Sequence, residues 1–513
     1  MDYFSRDSLL LTMLLVATFI FIFNRRKRRR QHCSNIQPPS PRGFPIIGHL
    51  HLLTDMPHHS LARLADRLGP IVFLRLGRVP TVVVSSARLA GLVLKAHDHV
   101  FASRPQLVAA QYLSFGCSDV TFSRYGPYWR QARKICVSEL LSHKRVNSFR
   151  LVRGEEMNRM LTHVLSAAGR TGSDHEVDMS KVFFSLANDI LCRVAFGKRF
   201  IKKEGQNRHL TAVLAEAQEL FGGFCAGDFY PDWQYWVDWV SGFKARLERN
   251  LEDLRQVCDE IIEEHVDRST DSGGEDFVDV LLRVQRREDL EVPVTDDNLK
   301  ALVLDMFVAG TDTTSAVLEW TLAELVRHPE IMKKAQEEVR KIACSAGTVD
   351  ESHLQHFHYM KAVVKETMRL HPPVPLLVPR ESMEDCILDG YEIRAKTRVL
   401  INSYAIGRDP ESWEDPLKYD PERFKDHNIE FKDQDFRFLP FGGGRRGCPG
   451  YAFGLATIEL GLALLLYHFD WALPQGVGAD DVNLDEIFGL ATRKKTPLIV
   501  VPTANKDYEF KAF

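Results

Sequence analysis

The ten residues Phe441–Gly450, FGGGRRGCPG, most strongly constrain how this chain can fold, because they set one cysteine between a glycine-rich turn and a new helix. The consecutive glycines 442–444 permit backbone conformations closed to other residues and let a flat ligand approach the main chain closely. Pro449 follows Cys448, and the apolar, helix-favouring run Ala452–Leu466 comes next. The sequence therefore predicts that Cys448 lies at a helix N-terminus.

This environment predicts a sulfur that binds a metal. The positive end of a helix dipole and nearby amide hydrogens stabilise a thiolate and should lower the pKa of the Cys448 thiol. Arg445 and Arg446 add positive charge that can neutralise carboxylates. A large ring that carries carboxylates above a thiolate-bound iron is haem, so the residues indicate a haem site. The simpler interpretation is a buried structural cysteine in a glycine-rich turn.

Phe441, Gly444, Arg446, Cys448 and Gly450 match every fixed position of the haem-binding motif F-x-x-G-x-R-x-C-x-G. The chain thereby resembles the cytochrome P-450 family, and the resemblance covers nearly all of it. The resemblance implies that Cys448 is the proximal iron ligand of haem b (heme b, iron-protoporphyrin IX), that Arg446 contacts a haem propionate and that Phe441 adjoins the cofactor. It also implies a fold that is mainly α with a smaller β region, in a single large catalytic domain.

Length, charge and cysteine content narrow the class of protein further. By length alone, 513 residues suggest two to four domains, whereas the family folds as one large unit. The net charge of −3 is nearly balanced, and no strongly basic domain indicates a nucleic-acid partner. The nine cysteines are scattered and never spaced C-x-x-C, which argues against a disulfide framework or a zinc site and for a reducing compartment.

The N-terminal residues predict a membrane anchor. Leu9–Phe23 is an apolar run broken only by Thr12 and Thr18, and the six basic residues Arg25–Arg30 follow it closely. Extending the run back to Phe4 gives about 20 residues, enough to cross the hydrocarbon core of a bilayer. A cleaved signal peptide would carry its positive charge before the apolar run. A core helix or a leader segment is the alternative interpretation.

The charge distribution predicts how the anchor is oriented and how the chain is divided. Basic residues tend to stay in the cytosol, so we expect a single-pass protein of the endoplasmic reticulum membrane with its catalytic domain on the cytosolic face. The segment 38–48, PPSPRGFPIIG, resembles the proline-rich hinge of microsomal family members, although Ser40 stands where glycine is commonest. We therefore divide the chain into anchor and basic stop (1–30), hinge (31–48) and cytochrome P-450 catalytic domain (49–513).

A long helix is predicted over Asp296–Arg327, and its centre is a poor helix sequence. The stretch AGTDTTS, Ala309–Ser315, contains a glycine that costs about 1 kcal/mol relative to alanine, and threonine hydroxyls that compete for backbone carbonyls. A helix that accepts this cost at its midpoint indicates a function there. A kink of small residues that allows close helix packing is the alternative.

The chemistry of this stretch indicates oxygen activation. Thr313 can bond the carbonyl of Ala309, which would loosen one turn and leave a polar groove for oxygen and water, and Asp312 can relay protons from solvent. The stretch matches the family pattern [AG]-G-x-[DE]-T-[TS], in which the acid and the threonine support oxygen activation. The resemblance also implies that Ala309 and Gly310 lie beside the cofactor.

Other segments resemble family motifs that hold the haem. The segment 125–135, YGPYWRQARKI, resembles the family's C-helix, which implies that Trp129 and Arg133 reach the haem propionates. An ordinary cation–aromatic pair would explain the same spacing. In VPLLVPRE, residues 374–381, the resemblance implies that Arg380 is a further propionate contact.

Two further motifs predict structural residues. Glu366 and Arg369 lie three residues apart on one predicted helical turn, in an E-x-x-R motif, and Arg423 belongs to the P-E-R-F motif that follows. We expect these residues to form a buried ionic network that supports the cysteine loop. A hairpin is also predicted, with strands at Ile71–Leu76 and Thr81–Ser85.

Candidates for the wall of a substrate pocket come from three segments that match family substrate-contact regions. The candidates are Leu113, Phe115, Val120, Leu376, Leu377, Val378, Phe488, Leu490 and Ala491. Residues 376–378 are predicted to form a strand that faces the pocket. The aromatic stretch Leu220–Phe243 is interpreted mainly as packing, with a channel roof or a membrane-dipping loop as alternatives.

The resemblance is strongest to the plant microsomal, A-type branch of the family, close to its seventy-one clan. It implies a monooxygenase that uses O₂ to oxidise, usually by hydroxylation, a small lipophilic substrate such as a terpenoid, phenolic or alkaloid. The chain has no flavin- or nucleotide-binding glycine motif, so its electrons must come from elsewhere. The resemblance implies that NADPH supplies them through a separate NADPH-cytochrome P-450 reductase. Its acidic face could dock on a basic surface around Lys134, Arg445 and Arg446. A haem-thiolate isomerase or dehydratase and a non-enzymatic haem sensor are the alternatives.

Overall fold

The computed structural model describes most of the chain from residue 37 onward. The predicted anchor at residues 1–30 lies outside the described residues. So do residues 234–241 of the aromatic stretch. The described residues are 37–168, 175–199, 207–223, 225–233, 242–266, 275–344, 346–425, 429, 431, 435–505 and 507.

Helices form most of the described structure, and we number them α1 to α15 in chain order. They are Pro57–Leu68, Ala87–Gly91, Val108–Leu113, Pro127–Ile135, His143–Ser148, Arg150–Ala168, Met179–Phe196, Asn207–Gly222, Phe243–Val266, Phe277–Gln285, Asp296–Arg327, Pro329–Ala343, His358–Leu370, Ser403–Ile406 and Tyr451–His468.

The strands, numbered β1 to β11, are short and form a minor part of the fold. They are Ile71–Leu76, Val79–Val84, Val177–Asp178, Arg380–Glu381, Cys386–Leu388, Tyr391–Ile393, Arg398–Ile401, Phe469–Ala472, Glu486–Ile487, Arg493–Lys494 and Ile499–Ala504. The largest sheet has the order β1-β2-β7-β4, and a second sheet has the order β3-β11-β8. The predicted class, mainly α with a smaller β region, is confirmed.

The predicted hairpin near the start of the described chain is confirmed. Strands β1 and β2 pair antiparallel from Ile71 opposite Val84 to Leu76 opposite Val79. The second strand begins at Val79 and not at Thr81, because the turn takes only two residues, of which the first is a glycine with positive φ. Strand β2 also pairs in parallel with β7, which joins the hairpin to the strand that carries Arg380.

Helix α11 has the bounds that the sequence predicts and forms the centre of the molecule. Its N-cap is Thr295, whose hydroxyl accepts from the amide of Asn298, while the Asn298 side chain accepts from the amide of Thr295. Among the described helices, α11 and α15 are long and apolar enough to cross a membrane. Most of each is buried inside the protein, and α11 packs against both α7 and α15. We therefore interpret both as core helices.

A buried ionic network connects α13 with the segment that precedes the cysteine loop. Glu366 and Arg369 have fully buried side chains, and their two hydrogen bonds measure 2.7 and 2.8 Å. Arg423 Nε lies 3.0 Å from Glu366 Oε1. The predicted structural network is therefore confirmed. The remaining donors of Arg369 reach the backbone carbonyls of Gly407, Pro416 and Lys418.

A row of aromatic rings links this network to the cysteine loop. Trp413 lies beneath both guanidinium groups of the network. Successive ring contacts then run from Trp413 to Phe424 at 5.6 Å and from Phe424 to Phe438 at 4.9 Å. The row continues to Phe431 at 5.6 Å and to Phe441 at 5.4 Å. The ionic network therefore supports the loop through packed rings.

Replacing Glu366 with glutamine is expected to lower the free energy of unfolding by about 3–5 kcal/mol, because it leaves the charges of Arg369 and Arg423 buried without a counter-ion. Chemical denaturation of the purified full-length variant, followed by tryptophan fluorescence, measures the loss. The control is Arg88→Gln, which breaks a largely exposed pair with Asp389 and should cost less than about 1 kcal/mol. Equal losses in the two variants would contradict the structural role of the network.

Candidate active site

A cavity of about 300 Å³ lies between α11 and the cysteine loop. Its wall brings together eight of the ten predicted site residues, which come from four separate parts of the chain. They are Arg133, Ala309, Gly310, Thr313, Arg380, Phe441, Arg446 and Cys448. The other two, Trp129 and Asp312, lie behind the wall.

The cysteine loop has the local geometry that its glycines and proline predict. Gly444 has a φ of +66°, and a Cβ atom at this position would collide with the carboxylate of Asp98. The Cys448 amide donates to the carbonyl of Phe441 at 2.9 Å and so closes the loop. Helix α15 begins at Tyr451, soon after the cysteine. The predicted position of Cys448 at a helix N-terminus is confirmed.

The sequence predicts that the helix N-terminus lowers the pKa of the Cys448 thiol. For the side chain without a bound metal, this prediction is wrong. The Cys448 side chain is open to the cavity, yet desolvation by the surrounding protein raises the pKa of its thiol and outweighs the amides of Gly450 and Tyr451 and the charge of Arg133, which lower it. Desolvation of a charged sulfur exceeds the effect of the helix N-terminus here. Because a coordinating metal deprotonates a thiol outright, a metal cation is what would hold this sulfur as thiolate at neutral pH.

Positive charge is concentrated in the cavity wall. Arg104, Arg380 and Arg446 are only 5%, 3% and 8% exposed, and the partly buried Arg133 lies with them. Burial lowers the pKa of Arg104 and of Arg446, and repulsion from Arg380 lowers both further. A guanidinium nevertheless stays charged in proteins. The cluster therefore fits an anionic ligand such as haem, whose carboxylates would neutralise it.

Most donors of these arginines already bond the backbone and hold the wall together. Arg446 donates to three backbone carbonyls, including that of Val120 at 3.0 Å. Trp129 donates its indole N–H to the same carbonyl, and its ring lies 4.1 Å below the Arg446 guanidinium. Arg133 donates to the carbonyl of Gly447 at 2.5 Å. Trp129 therefore supports Arg446 instead of lining the cavity.

The two arginines of the loop face in different directions. Arg445 is half exposed and pairs with Asp98 at 2.7 Å, and the same carboxylate lies 3.4 Å from buried Arg380. Arg446 is buried, so it cannot belong to the basic docking surface predicted around Lys134, Arg445 and Arg446. Only Lys134 and Arg445 of that surface are exposed.

The centre of α11 contributes residues to the cavity wall and also to a contact with the half-exposed Arg493. The Thr313 hydroxyl donates to the carbonyl of Ala309 at 2.7 Å, as predicted, and both residues line the cavity. Asp312 is 2% exposed, and its Oδ1 makes no hydrogen bond to the described residues. Burial raises the pKa of Asp312, and Arg493, half exposed with Nη1 3.7 Å from that Oδ1, lowers it. The Asp312 carboxylate thus faces the half-exposed Arg493, one residue before Thr313 in the chain.

Gly310 serves close packing as well as lining the cavity. A Cβ atom at this position would lie 2.9 Å from Leu191 Cδ1 of α7, so the glycine lets the two helices pack without displacing the Leu191 side chain. The alternative interpretation of the stretch, close helix packing, therefore accounts for Gly310. It does not account for the Thr313 hydroxyl on the cavity wall.

The predicted wall candidates divide into two groups. Five line the cavity: Leu113, Val120, Leu377, Val378 and Leu490. Four do not, because they point to other parts of the core: Phe115, Leu376, Phe488 and Ala491. Phe221 of the aromatic stretch also lines the cavity and stacks on Phe122 at 5.4 Å.

The predicted strand at residues 376–378 is wrong. Leu377 has a φ of +50° and its amide donates to the carbonyl of Val374 at 3.0 Å, which makes a tight turn. Pro375 and Pro379 flank the turn, and neither has an amide hydrogen for a strand ladder. The turn still aims Leu377 and Val378 into the cavity.

Sequence analysis missed three charged wall residues, Arg104, Asp119 and Asp305. Asp305 accepts from the amide of Val120 at 3.0 Å and ties that loop to α11, and burial raises the pKa of both acids. A signal for Asp305 was present, because Asp305, Ala309 and Thr313 recur every four residues on one face of a helix. For Arg104 and Asp119 only the tertiary structure brings the side chain to the wall.

Comparison with known proteins places the chain in a family. A family model described as Cytochrome P450 matches residues 38–501. Tryptamine 5-hydroxylase of Oryza sativa subsp. japonica is 56% identical, covering 97% of this chain and 96% of that protein. Cytochrome P450 71A1 of Persea americana is 45% identical, covering 96% and 99%. Strychnine-11-hydroxylase of Strychnos nux-vomica is 42% identical, covering 96% of each.

A solved structure agrees with the fold. A zebra fish cytochrome P450, in a structure with abiraterone, has a TM-score of 0.75 at 25% identity and covers 88% of this chain and 100% of that one.

The predicted fold, the resemblance to plant seventy-one-type proteins and the haem cofactor are confirmed. The relatives also indicate a microsomal protein that needs a redox partner, a small-molecule substrate and O₂. Because the match covers residues 38–501, which include the cavity and the cysteine loop, we conclude that this chain belongs to the cytochrome P450 family, as an oxidoreductase that incorporates oxygen into its substrate.

Proposed function

We propose that this protein oxidises a small lipophilic plant specialised metabolite, most often by hydroxylation, at a haem held by Cys448. One observation carries the proposal: the Cys448 sulfur and the Thr313 hydroxyl lie on the wall of one cavity, and buried arginines surround its charged side. The residues thus provide a soft ligand for iron, counter-charges for carboxylates and a polar group for oxygen.

The wall residues that would hold the cofactor have two roles, binding the iron and binding the propionates. Cys448 would be the proximal ligand, with Phe441 packed beside it, and Arg133, Arg380 and Arg446 would bind the propionates. Arg104, which lies among them, would add to the same charge. When bound, haem supplies the site at which dioxygen is reduced and one oxygen atom passes to the substrate.

The protein's own part in oxygen activation is to hold and deliver protons. Thr313 keeps its hydroxyl on the cavity wall because it donates to the Ala309 carbonyl, so its oxygen is free to accept a hydrogen bond from the cavity side. Asp312 is placed to pass protons from the exposed side of Arg493 toward Thr313. Ala309 and Gly310, both small, leave room beside the cofactor.

The walls favour a lipophilic substrate and suggest which one to test first. Leu113, Val120, Phe221, Leu377 and Leu490 make an apolar surface that binds a flat ligand and excludes water from the reaction. The rice relative at 56% identity is named for hydroxylation of tryptamine. An indolic arylalkylamine is therefore the first candidate, followed by alkaloids of the kind that the Strychnos relative is named for.

The proposed domain arrangement has three segments of very different length. Residues 1–30 would anchor the protein in the endoplasmic reticulum membrane, with residues 31–48 as the hinge and 49–513 as the catalytic domain in the cytosol. Exposed Lys134 and Arg445 would form part of the docking surface for NADPH-cytochrome P-450 reductase. The hydroxylase names of the relatives favour a monooxygenase over an isomerase, a dehydratase or a haem sensor.

Turnover of tryptamine by the full-length protein with reductase, NADPH and isotopically labelled O₂ is expected to give a product that carries one labelled oxygen atom. The reason is that oxygen reaches the substrate from dioxygen and not from water. Mass spectrometry of the product is the measurement. Other indoles, alkaloids, phenolics and terpenoids are tested in parallel by the spin-state change of the haem on binding. Label from water, or product formed without NADPH, would contradict the monooxygenase.

Thr313→Ala is expected to keep haem but to divert electrons to peroxide. Product per NADPH should fall at least about tenfold, a threshold set below the ~10²–10⁴ in rate that a positioned proton-transfer group usually contributes. The matched control is Thr321→Ala, because Thr321 bonds the carbonyl of Val317 at 2.7 Å on the same helix but lies away from the cavity wall. Full product yield in Thr313→Ala, or equal loss in the control, would contradict the proton relay.

A further inference from the structure

Two histidines of α1 and one glutamate of β9 form a compact group outside the active-site cavity. His58 Nε2 lies 2.8 Å from Glu486 Oε2, and His59 Nε2 lies 3.0 Å from the same oxygen. The three atoms all lie within 4.8 Å of one another. Glu486 follows His58 by 428 residues, so no sequence motif indicates the group. We call these three residues the histidine–glutamate cluster.

One nitrogen of the cluster lacks a hydrogen bond. His59 Nε2 is buried and makes no hydrogen bond to the described residues, although Glu486 Oε2 is only 3.0 Å away. A buried polar atom without a partner is costly. A cation that accepts lone pairs from both imidazoles and from the carboxylate would satisfy it. The separations of 2.8 and 3.0 Å need to open only slightly to reach the ~3.3 Å edge of a tetrahedron with bonds of about 2.0 Å.

A second group of potential ligands in the described chain does not support the same argument. His265, Asp276 and Asp279 also lie close enough together to hold an ion. There, however, both ring nitrogens of His265 have hydrogen bonds, at 2.6 Å to the carbonyl of Ile261 and at 2.8 Å to Asp276. The two aspartates form the capping box of α10. Those hydrogen bonds account for the second group without an ion, so the nitrogen of His59 distinguishes the histidine–glutamate cluster.

The packing around the cluster holds its rings in place. Tyr404 contacts the rings of both histidines, at centroid distances of 4.9 and 4.5 Å, and Phe488 stacks on His58 at 5.7 Å. Asn402 Nδ2 donates to the carbonyl of His58 at 2.9 Å and fixes the first turn of α1. Burial outweighs the Glu486 carboxylate and lowers the pKa of His58, so its imidazole is neutral, which is the form that binds a metal.

We propose that the histidine–glutamate cluster binds a divalent transition-metal ion such as Zn²⁺, with His58 Nε2, His59 Nε2 and Glu486 Oε2 as ligands. Water would complete the coordination on the partly exposed side of His59. Imidazole and carboxylate bind zinc at about 2.0–2.2 Å. Arg408, which lies 3.7 Å over the ring of Tyr404, and the positive end of α1 oppose a cation. Binding should therefore be weaker than at a closed four-ligand zinc site. The inference goes beyond the proposed monooxygenase and does not depend on it.

An ion at this position would link α1 to the wall of the cavity. Strand β9 begins at Glu486 and pairs with β10, where Ile487 lies opposite Arg493. Leu490, between the two strands, lines the cavity, and Arg493 contacts Asp312 of α11. The bound ion would thus connect α1 to the hairpin that carries both Leu490 and Arg493, and would stabilise that hairpin.

Zinc binding is tested on the full-length haem protein after dialysis against a chelator. Equilibrium dialysis with metal analysis counts the zinc ions bound by the wild type, by His59→Ala and by Glu486→Gln. Each variant should bind one zinc ion fewer per chain, because it lacks one of the three ligands. Zinc at about 100 times its Kd should also raise the unfolding midpoint of the wild type by about 2 °C more than that of His59→Ala.

The matched control is His356→Ala, which removes an exposed histidine outside the cluster and should bind as much zinc as the wild type. X-ray absorption at the zinc edge identifies the ligands. The wild type with one equivalent of zinc should show nitrogen and oxygen neighbours at about 2.0–2.1 Å and no sulfur at ~2.3 Å.

The outcomes decide between an ion and a simple histidine–carboxylate pair. Loss of one zinc ion in both cluster variants, with nitrogen and oxygen neighbours in the wild type, supports the site. Equal zinc binding by the wild type and both variants overturns it, and so does a sulfur neighbour or an equal loss in His356→Ala. An unchanged carbon monoxide spectrum shows that each variant is folded, and His59→Gln replaces His59→Ala if the alanine variant is not.

Discussion

Burial of positive charge beside one sulfur atom is the constraint on which this structure depends. Arg104, Arg380 and Arg446 are almost completely enclosed, and each uses backbone carbonyls to offset part of the cost of burial. Burial, together with repulsion from Arg380, still lowers the pKa of Arg446. The raised pKa of the Cys448 thiol disfavours the thiolate form that would bind a metal. An iron-centred, dianionic haem would relieve both, so the charges of the wall match those of the cofactor that the family binds.

The rest of the fold positions that wall. The buried pair of Glu366 and Arg369 sits beneath a row of packed rings that ends at Phe441, so a structural network outside the cavity supports the cysteine loop. On the opposite side, Gly310 packs against Leu191 of α7, and the bond to the Ala309 carbonyl keeps the Thr313 hydroxyl on the wall. Stability and chemistry thus depend on different residues: Glu366, Arg369 and Arg423 lie outside the cavity wall, whereas Thr313 lies on it.

Sequence features within a few residues of one another predicted most of the fold and the centre of the site. Contacts between residues far apart in the chain could not be predicted from those features. Helix α11, the β1–β2 hairpin and the Thr313 bond depend on caps, turns and spacing within a few residues. Leu377 was misread as part of a strand because its left-handed turn is set by flanking prolines and by packing against the loop. The sequence analysis predicted a lowered pKa for the Cys448 thiol from the helix dipole and nearby amides. Desolvation outweighs both effects and raises that pKa. Arg104 and Arg493 reach their partners only through the tertiary fold.

The most direct test of the account is the absorbance spectrum of the reduced, carbon monoxide-bound full-length protein, compared between wild type and Cys448→Ser. The wild type should show the band of thiolate-ligated haem, and the variant should lose it, because serine offers no soft ligand for iron. The control is Cys344→Ser, which removes an exposed cysteine outside the cavity and should keep the band. A thiolate-type band in Cys448→Ser, or its absence from the wild type with haem bound, would contradict the central role of Cys448.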